Sequence, residues 1–227
     1  MKNIICMIPA RSGSSIKNKN IKKYKKKPLI FHSIDVALKS EFINKILIST
    51  DSKQYKSIIE KKYGKKIEIP FLRPKKISGT HATDYQWVKH ALKFLSKNQN
   101  YTPQMIIHLR PTTPNRDVKI LDNAIKLFIK KYKYCSSLRS ANKFSQPPYK
   151  MFKIYKGFFR GYFNYKKFKE YYNLSRQKFS QNYLPNGYVD ILKPDIILKS
   201  KFLHGKKILP FITNDTNDID NLNDFKK

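Results

Sequence analysis

The sequence predicts an α/β fold in which helices cover both faces of a mostly parallel central sheet. Short apolar runs rich in β-branched residues alternate along the chain with longer segments whose apolar residues recur at helical spacing. This alternation is typical of strand–helix–strand crossovers, which make neighbouring strands parallel. A length of 227 residues and a hydrophobic content of 40% suit one domain, residues 1–227, with a substantial core.

Local signals predict the individual elements. Pro28 suits the first turn of a helix. Ser52 and Asp117 can cap the N-termini of two further helices, and Gly64 can end the first of these. A fourth helix is predicted around Val88, where apolar residues recur every three or four positions. Strands are predicted at Ile4–Ile8, Lys45–Thr50, Ile67–Phe71, Met105–Leu109, Tyr134–Leu138, Gly187–Leu192 and Lys206–Ile212.

The alternation breaks in residues 140–183, a segment rich in Tyr, Phe and Lys with little helical periodicity. Because linkers are poor in aromatic residues, this segment is predicted to be an insertion that packs against another surface. We take that surface to be a second subunit, and so we expect a homodimer. The alternative is a local β-hairpin subdomain that covers the edge of the sheet.

The formal net charge of +33 is compatible with nucleic-acid binding. However, the lysines are scattered over every predicted helix and loop, and Arg, which base-reading contacts favour, is much rarer. We therefore attribute the charge to a Lys-biased composition and expect no nucleic-acid partner, although polyphosphate ligands would be attracted. No apolar run is long enough to span a membrane and there is no signal-peptide layout, so we predict a cytoplasmic protein without a membrane partner.

The first predicted strand ends at Pro9 and Ala10 and opens into a loop of small residues, Arg11 to Ser15. Such a loop lets backbone N–H groups turn toward an anion, and Arg11, Lys17 and Lys19 add cationic side chains. The sequence therefore predicts a phosphate site, with a surface turn as the alternative. The loop matches neither the dinucleotide fingerprint nor the P-loop.

Polar residues follow the other early strands as well. Asp51 follows the second predicted strand, Arg73 the third and Arg110–Arg116 the fourth. Ligands bind at the carboxyl ends of strands in a parallel sheet. Several mostly cationic positions at those ends therefore predict a negatively charged ligand lying across the edge of the sheet.

Acidic residues are rare in this chain but cluster near its end. Asp215, Asp218, Asp220 and Asp224 lie within eleven residues of one another. Asp218 and Asp220 share a face if that segment is extended, and two such carboxylates suit Mg²⁺ bound together with substrate phosphates. The alternatives are a solvated acidic tail or a helix N-cap.

The histidines predict no catalytic centre. His32, His90 and His108 fall within predicted helices or a strand, where packed and hydrogen-bonded histidines are expected, and His81 lies in a polar loop. We find no Ser/His/Asp or Cys/His arrangement of familiar spacing and no zinc set.

Six stretches, taken in order, resemble motifs of the acylneuraminate cytidylyltransferase family. IPARSGSSIKNKNI resembles its nucleotide loop IPAR-x-GSKG-x-x-x-KN, and LISTDS resembles its second strand. FLRPKKISGTHATDYQWVKHAL resembles its RP-x-x-L…H-A-L block, and HLRPTTPNRD resembles LQPTSPLR. SRQKFSQNYLPNGYVDIL resembles its sugar-site segment RQ…P-NG, and DIDNLNDF resembles its D-x-D metal segment. The matches are collinear over nearly the whole chain.

The resemblance implies a Rossmann-like three-layer nucleotidyltransferase fold with an inserted dimerisation subdomain, and a Mg²⁺-dependent reaction of CTP with a nonulosonic (sialic-acid-like) sugar that gives the CMP-sugar and pyrophosphate. It implies catalytic roles for Arg11, Lys19 and Asp220. The nucleotide-binding residues would be Ala10, Arg11, Ser12, Gly13, Ser14, Lys19, Arg73, Thr83 and Arg110. The sugar-binding residues would be Arg110, Thr112, Gln177, Asn186 and Gly187. Asp218 and Asp220 would hold Mg²⁺.

The sequence departs from the family pattern at three places. Ser14–Ser15–Ile16 is one residue shorter than the usual loop and lacks its Lys, Arg110 stands where many members carry Gln, and Thr80 stands where Asp is common. The alternatives are an enzyme for Kdo or another acidic sugar, a nucleotide-binding homologue impaired by the shortened loop, and a nucleic-acid-binding protein. Paired aspartates at a cationic site argue against the last.

Overall fold

A computed structural model describes residues 3–13, 16–163, 169–214 and 216–226. The strands are β1 (Ile4–Pro9), β2 (Lys23–Tyr24), β3 (Lys27–Pro28), β4 (Lys45–Ser49), β5 (Met105–His108), β6 (Ser137–Phe144), β7 (Phe152–Tyr155), β8 (Phe158–Gly161), β9 (Asn182–Leu192) and β10 (Ile208–Ile212). The α-helices are α1 (Leu29–Lys39), α2 (Lys53–Tyr63), α3 (Asp84–Gln99), α4 (Val118–Lys131) and α5 (Pro194–Lys199).

A six-stranded sheet in the order β10-β6-β9-β5-β1-β4 forms the centre of the molecule. β1 pairs in parallel with β4 and β5, and β10 pairs in parallel with β6. β9 runs antiparallel to both β5 and β6, which the apolar pattern alone did not predict. The predicted α/β fold with a mostly parallel sheet is confirmed.

The two faces of the sheet are covered by different helices. α1, α2 and α4 pack on one face, and α3 and α5 pack on the other. Ile4, Cys6 and Ile8 of β1 project into the first layer, and Ile5 and Met7 project into the second. Because alternate residues of a strand face opposite sides, a strand buried on both faces reads as an uninterrupted apolar run.

Helix ends follow the predicted signals. Ser52 Oγ accepts a hydrogen bond from Tyr55 N at 3.2 Å at the start of α2, and Asp117 Oδ1 accepts one from Lys119 N at 2.7 Å at the start of α4. Gly64 ends α2 with a φ of 54°. None of the helices in the described ranges combines the length and apolar content that crossing a bilayer requires.

Two predicted strands were wrong in whole or in part. Ile67–Phe71 makes one isolated parallel bridge, between Glu68 and Leu47 of β4, instead of a ladder, since Pro70 has no N–H to donate. The strand predicted at Tyr134–Leu138 begins at Ser137. The residues before it still close α4, because Tyr134 N donates to a carbonyl of that helix at 2.9 Å and the Tyr134 side chain is 74% exposed.

The segment predicted as an insertion carries a hairpin of its own. β7 and β8 form a separate two-stranded sheet, and Lys156 and Gly157 at its turn both have positive φ angles, as a type I′ turn requires. The hairpin leaves Ile154, Phe158 and Phe159 between 74% and 77% exposed. It forms no ladder with the six-stranded sheet. A local hairpin is thus present in the insertion, and its packing on a second subunit stays a prediction. Exposed apolar surface of this kind is typical of an interaction site.

Candidate active site

A cleft of about 300 Å³ opens at the edge of the sheet where β1, β4 and β5 end. Its lining contains six residues that the sequence predicted: Arg11, Lys19, Arg73, Arg110, Thr112 and Asp220. It also contains polar or aromatic residues that were not predicted: Asn20, Asp84 and Trp87. The cationic positions after separate strands therefore meet in one place, as the sheet topology requires.

The loop after β1 is shaped by hydrogen bonds to its neighbours. Ser12 donates to Asp51 through both its backbone N (2.7 Å) and its Oγ (2.9 Å). Asn20 Nδ2 donates to Arg11 O at 2.9 Å, and Ala10 is fully buried. These hydrogen bonds fix the backbone of the described part of the loop beside the cleft. Asp51 thus serves the loop as an acceptor.

The remaining loop positions are open or lie outside the description. Gly13 is exposed, and a Cβ placed on it would meet no atom within 4 Å. Arg11 Nη1 donates to Gly79 O at 2.6 Å across the cleft. Ser14 and Ser15, and with them the nucleotide role predicted for Ser14, lie outside the described residues, as does Asp215 of the acidic cluster.

The two ends of the chain meet at Lys19 and Asp220. Lys19 Nζ lies 3.2 Å from Asp220 Oδ1, although 201 positions separate the residues. The Lys19 side chain is 9% exposed and that of Asp220 is 73% exposed, so the ammonium is held in the wall and the carboxylate faces solvent. Asp224 fixes the backbone there, since its Oδ2 accepts from Asp220 N at 2.9 Å.

Asp218 and Asp220 flank a buried anchor. Ile219 is 1% exposed, and its N donates to Thr112 O at 2.7 Å. Burial and the nearby Asp220 charge raise the pKa of the Asp218 carboxyl, while a hydrogen bond with Thr112 opposes the rise. Within the described ranges no three His, Cys, Asp or Glu side chains form a cluster that could hold a metal by themselves.

Arg73 is a buried cation without a carboxylate at salt-bridge distance among the described residues. It is 4% exposed and donates to Ser49 through Nε (2.9 Å to Oγ) and Nη2 (2.6 Å to the carbonyl). Its guanidinium lies 5.2 Å from the centre of the Trp87 ring. Burial lowers its pKa to about 10, so it stays charged at neutral pH. Such a group is suited to an anionic or strongly polar ligand.

Arg110, in contrast, is held between two carboxylates. Its Nη1 donates to Asp190 Oδ2 at 2.6 Å and its Nη2 to Asp84 Oδ2 at 2.8 Å. Asp84 also accepts from Trp87 Nε1 at 2.9 Å. Burial alone would raise the pKa of Asp84, but the adjacent Arg110 charge and these hydrogen bonds hold it well below its ordinary value.

The histidines are packed as predicted, but hydrogen bonds to other described residues are missing at His90 and His108. His90 Nδ1 has no hydrogen-bond partner among them. His108 is fully buried against Trp87, yet neither of its ring nitrogens has a hydrogen-bond partner among the described residues. Burial and the Arg110 charge lower its pKa to about 4. It is therefore neutral at physiological pH.

Other predicted ligand residues lie outside the cleft lining. Thr83 is exposed at the start of α3, where its N donates to Gln86 Oε1 at 2.8 Å. Gln177 lines a separate cavity of about 370 Å³ in the insertion. The Asn186 side chain donates to Thr213 Oγ1 at 2.7 Å and accepts from Tyr188 N at 3.2 Å.

Gly187 supports the cleft from behind. Its φ is 67°, and a Cβ at this position would lie 2.8 Å from Thr113 Oγ1 and 3.9 Å from Arg110 Cδ. Only a residue without a side chain allows this approach without strain. Gly187 therefore lets β9 pack closely against the loop that carries Arg110.

Sequence analysis missed Asp84 and Asp190, although one signal for Asp190 was present. Asp190 is the single charge in the apolar run GYVDIL, and a charge in a buried strand needs a partner. Asp84 carried no such signal, because it lies in a polar segment before α3.

Comparison with known proteins assigns the chain to a family. A family profile described as Cytidylyltransferase matches residues 5–148, more than half of the chain. The chain belongs to the cytidylyltransferase family. The matched part of this family member contains the loop after β1, Arg73 and Arg110, whereas Asp218 and Asp220 lie beyond it.

Relatives of this cytidylyltransferase-family chain are named for acidic sugars. The N-acylneuraminate cytidylyltransferase of Escherichia coli O18:K1:H7 is 32% identical over 232 residues, which cover 98% of this chain and 50% of that protein. The pseudaminic acid cytidylyltransferase of Campylobacter jejuni (strain 81-176) is 39% identical over 132 residues, or 57% of this chain and 54% of that protein. The chain thus spans about half the length of these relatives.

Solved structures share the fold at low sequence identity. CMP:2-keto-3-deoxy-manno-octonic acid synthetase complexed with CTP superposes with a TM-score of 0.67 at 14% identity, covering 96% of this chain and 93% of that one. A 4-diphosphocytidyl-2C-methyl-D-erythritol synthase from Anaerococcus prevotii gives 0.66 at 14% identity, with 99% and 93% covered. The predicted nucleotidyltransferase fold is confirmed.

Proposed function

We propose that this protein transfers CMP from CTP to a nonulosonic, sialic-acid-like sugar and releases pyrophosphate. The observation that carries the proposal is the contact between Lys19 and Asp220, which joins the cationic loop of β1 to the C-terminal carboxylates at 3.2 Å. A cleft with both charges suits a metal–triphosphate better than either charge alone would. The family membership and the names of the relatives support the same reaction.

In the proposed step the anomeric hydroxyl of the sugar attacks the α-phosphorus of CTP. The new bond joins the sugar oxygen to that phosphorus, and the bond from phosphorus to the bridging oxygen of the β-phosphate breaks. The hydroxyl proton is lost to water or to a basic oxygen in the cleft. Negative charge grows on pyrophosphate, where the side chains of Arg11 and Lys19 would stabilise it.

The carboxylates of Asp218 and Asp220 fit Mg²⁺. They are hard oxygen donors on either side of the buried Ile219. Burial is the main cause of the raised pKa of Asp218, and the Asp220 charge adds to it; a cation would relieve that second contribution. Two protein ligands leave room for phosphate oxygens and water. When bound, Mg²⁺ would neutralise charge on the phosphates.

The acceptor sugar has two candidate classes. The relatives named above support an N-acylated nonulosonic acid. Kdo or a similar acid is the second candidate, and the fold shared with CMP:2-keto-3-deoxy-manno-octonic acid synthetase favours it. A nucleotide-binding protein with impaired catalysis is the further alternative, and it rests on the shortened Ser14–Ser15–Ile16 loop.

A homodimer is part of the proposal. The exposed aromatic side chains of the β7–β8 hairpin support it. Because Gln177 lies in the insertion and not in the cleft lining, it would reach a sugar through the insertion of a second subunit. Cytoplasmic location remains a prediction.

Pyrophosphate release from CTP, Mg²⁺ and a panel of sialic, pseudaminic, legionaminic and Kdo acids tests the function. Asp220→Asn should lower turnover about 100-fold or more, since it removes a phosphate-facing charge, while the melting temperature stays the same. Asp195→Asn, the same charge change on the exposed start of α5, should retain full activity. Full turnover in Asp220→Asn would refute the metal role, and no release with any acid would refute the function.

A further inference from the structure

A row of polar and charged side chains continues the cleft wall away from the phosphate loop. His108 of β5, Asp190 of β9 and Arg139 of β6 lie directly opposite one another in register, so their side chains project from the same face of the sheet. Asp190 is 1% exposed, and its Oδ1 lies 3.5 Å from Arg139 Nε. His204 completes the surroundings, with Nε2 at 3.9 Å from Asp190 Oδ2.

Arg110 is the point at which this row meets the cleft. Each terminal nitrogen of its guanidinium donates to a different carboxylate, one on Asp84 and one on Asp190. Its side chain remains 23% exposed and lines the cleft. No described residue accepts a hydrogen bond from its Nε, and each terminal nitrogen has a second N–H.

This arrangement changes what Arg110 can bind. A substrate carboxylate placed on the guanidinium would be attracted by Arg110 and repelled by Asp84 and Asp190. The Arg139 guanidinium beside Asp190 offsets only part of that repulsion, because it lies on the far side of Arg110's partner and its contact is longer, at 3.5 Å. An uncharged hydroxyl or acyl carbonyl oxygen would accept an N–H without that repulsion. The free guanidinium edge is therefore suited to a neutral acceptor oxygen.

The strand order indicates which substrate lies there. The phosphate loop follows β1, and Arg73 lies beyond it toward β4, so the nucleotide side of the cleft is the β1–β4 side. Arg110 follows β5, and its partner Asp190 belongs to β9 on the opposite side. The acceptor sugar has the β5–β9 side available.

We propose that Arg110 donates a hydrogen bond to an uncharged oxygen of the acceptor sugar, and that Asp190 is the positioning residue that holds its guanidinium for this contact. The proposal rests on the proposed function and extends it. It assigns specificity for the uncharged substituents of the sugar to the Asp84–Arg110–Asp190 clamp. The carboxylate of the sugar is then left to the cations near the phosphate loop.

Asp190→Asn distinguishes this role from that of a counterion, because the two roles predict opposite signs. Loss of the positioning carboxylate should raise the KM for the sugar about tenfold, the size of one hydrogen bond, and change the KM for CTP much less. If Arg110 instead bound the sugar carboxylate, removing a neighbouring negative charge would lower the KM for the sugar. A lower or unchanged KM would overturn the proposal.

A double-mutant cycle tests whether Asp190 acts through Arg110. Arg110→Met should itself reduce kcat/KM for the sugar about tenfold. In that background Asp190→Asn should change the KM for the sugar less than twofold, whereas a full effect would overturn the positioning role. Asp84→Asn, which removes the more exposed partner of the clamp, gives the same sign test if Asp190→Asn fails to fold. A wild-type protein inactive with every sugar acid would overturn the proposed function as well, while active wild type with the opposite sign overturns this inference alone.

Discussion

Lys19→Met separates the contribution of one charge to catalysis from its contribution to stability. Met has a similar length and lacks the ammonium that lies 3.2 Å from Asp220. Because the Asp220 side chain is 73% exposed, this ion pair contributes only about 0–1 kcal/mol to folding. In a chain of this size 1 kcal/mol corresponds to a shift of about 2–4 °C in melting temperature, so the variant should melt within a few degrees of the wild type.

The effect on turnover should be far larger. The ammonium would stabilise charge that grows on the leaving pyrophosphate, and removing one such preorganised donor typically costs about 3–4 kcal/mol, or 10²–10³-fold in kcat. Initial rates of pyrophosphate release, measured with saturating CTP and sugar, check this value. Calorimetric melting of the same preparation checks the stability.

Lys23→Met is the matched control, because Lys23 is exposed and its loss gives the same change in net charge. It should reduce kcat less than twofold. If Lys19→Met and Lys23→Met have equal effects on kcat, Lys19 acts only through the general positive field of the protein. If Lys19→Met lowers the melting temperature by ten degrees or more, its effect on rate has a structural cause. Either result would refute the reasoning.

Three further predictions concern the scaffold. Gly187→Ala should lower the melting temperature by several degrees, since it adds a Cβ 2.8 Å from Thr113 Oγ1 at a φ of 67°; an unchanged melting curve would contradict this. Phe159→Asp should convert a dimer to a monomer in sedimentation at micromolar concentration without loss of monomer stability, and a wild-type monomer would remove the dimer. The pKa values of Asp84 and Asp190 are lowered in the folded state, although burial opposes this. The stability they contribute is therefore complete above the pKa of an unfolded Asp, about 3.9, and is lost as the pH falls below it; urea unfolding of Asp84→Asn should show a smaller loss between pH 5 and pH 3 than the wild type.

Most of the sheet was predictable because strands buried on both faces have a continuous apolar sequence. The orientation of β9 was not, since its residues Gly187–Leu192 have the same apolar pattern in a parallel or an antiparallel strand. Pairing direction depends on the path of the preceding insertion, which carries no periodic signal. The same limit explains Ile67–Phe71, whose apolar pattern was read correctly but whose Pro70 prevents a full ladder.

The site was predictable to the extent that it follows strand ends. Arg73 and Arg110 could be placed near the cleft from their positions after apolar runs, without knowledge of their partners. Their different roles could not be predicted, because they depend on contacts from distant segments. Arg73 has neutral partners and stays available, whereas Asp84 and Asp190 neutralise Arg110.

Under the proposed function, the acidic residues of this basic chain would give the cleft its selectivity. A chain with 48 Lys and Arg against 15 Asp and Glu would attract any polyanion by charge alone. Attraction of that kind raises encounter rates but fixes no orientation, and salt screens it. Carboxylates in or beside the cleft orient the neighbouring cations and hydrogen-bond donors. These carboxylates belong to Asp51, Asp84, Asp190, Asp218 and Asp220. Asp84 and Asp190 fix Arg110, Asp51 fixes Ser12, and Asp220 lies beside Lys19. Under the proposed function, these fixed groups would let the cleft discriminate a magnesium–triphosphate and a sugar from polyanions in general.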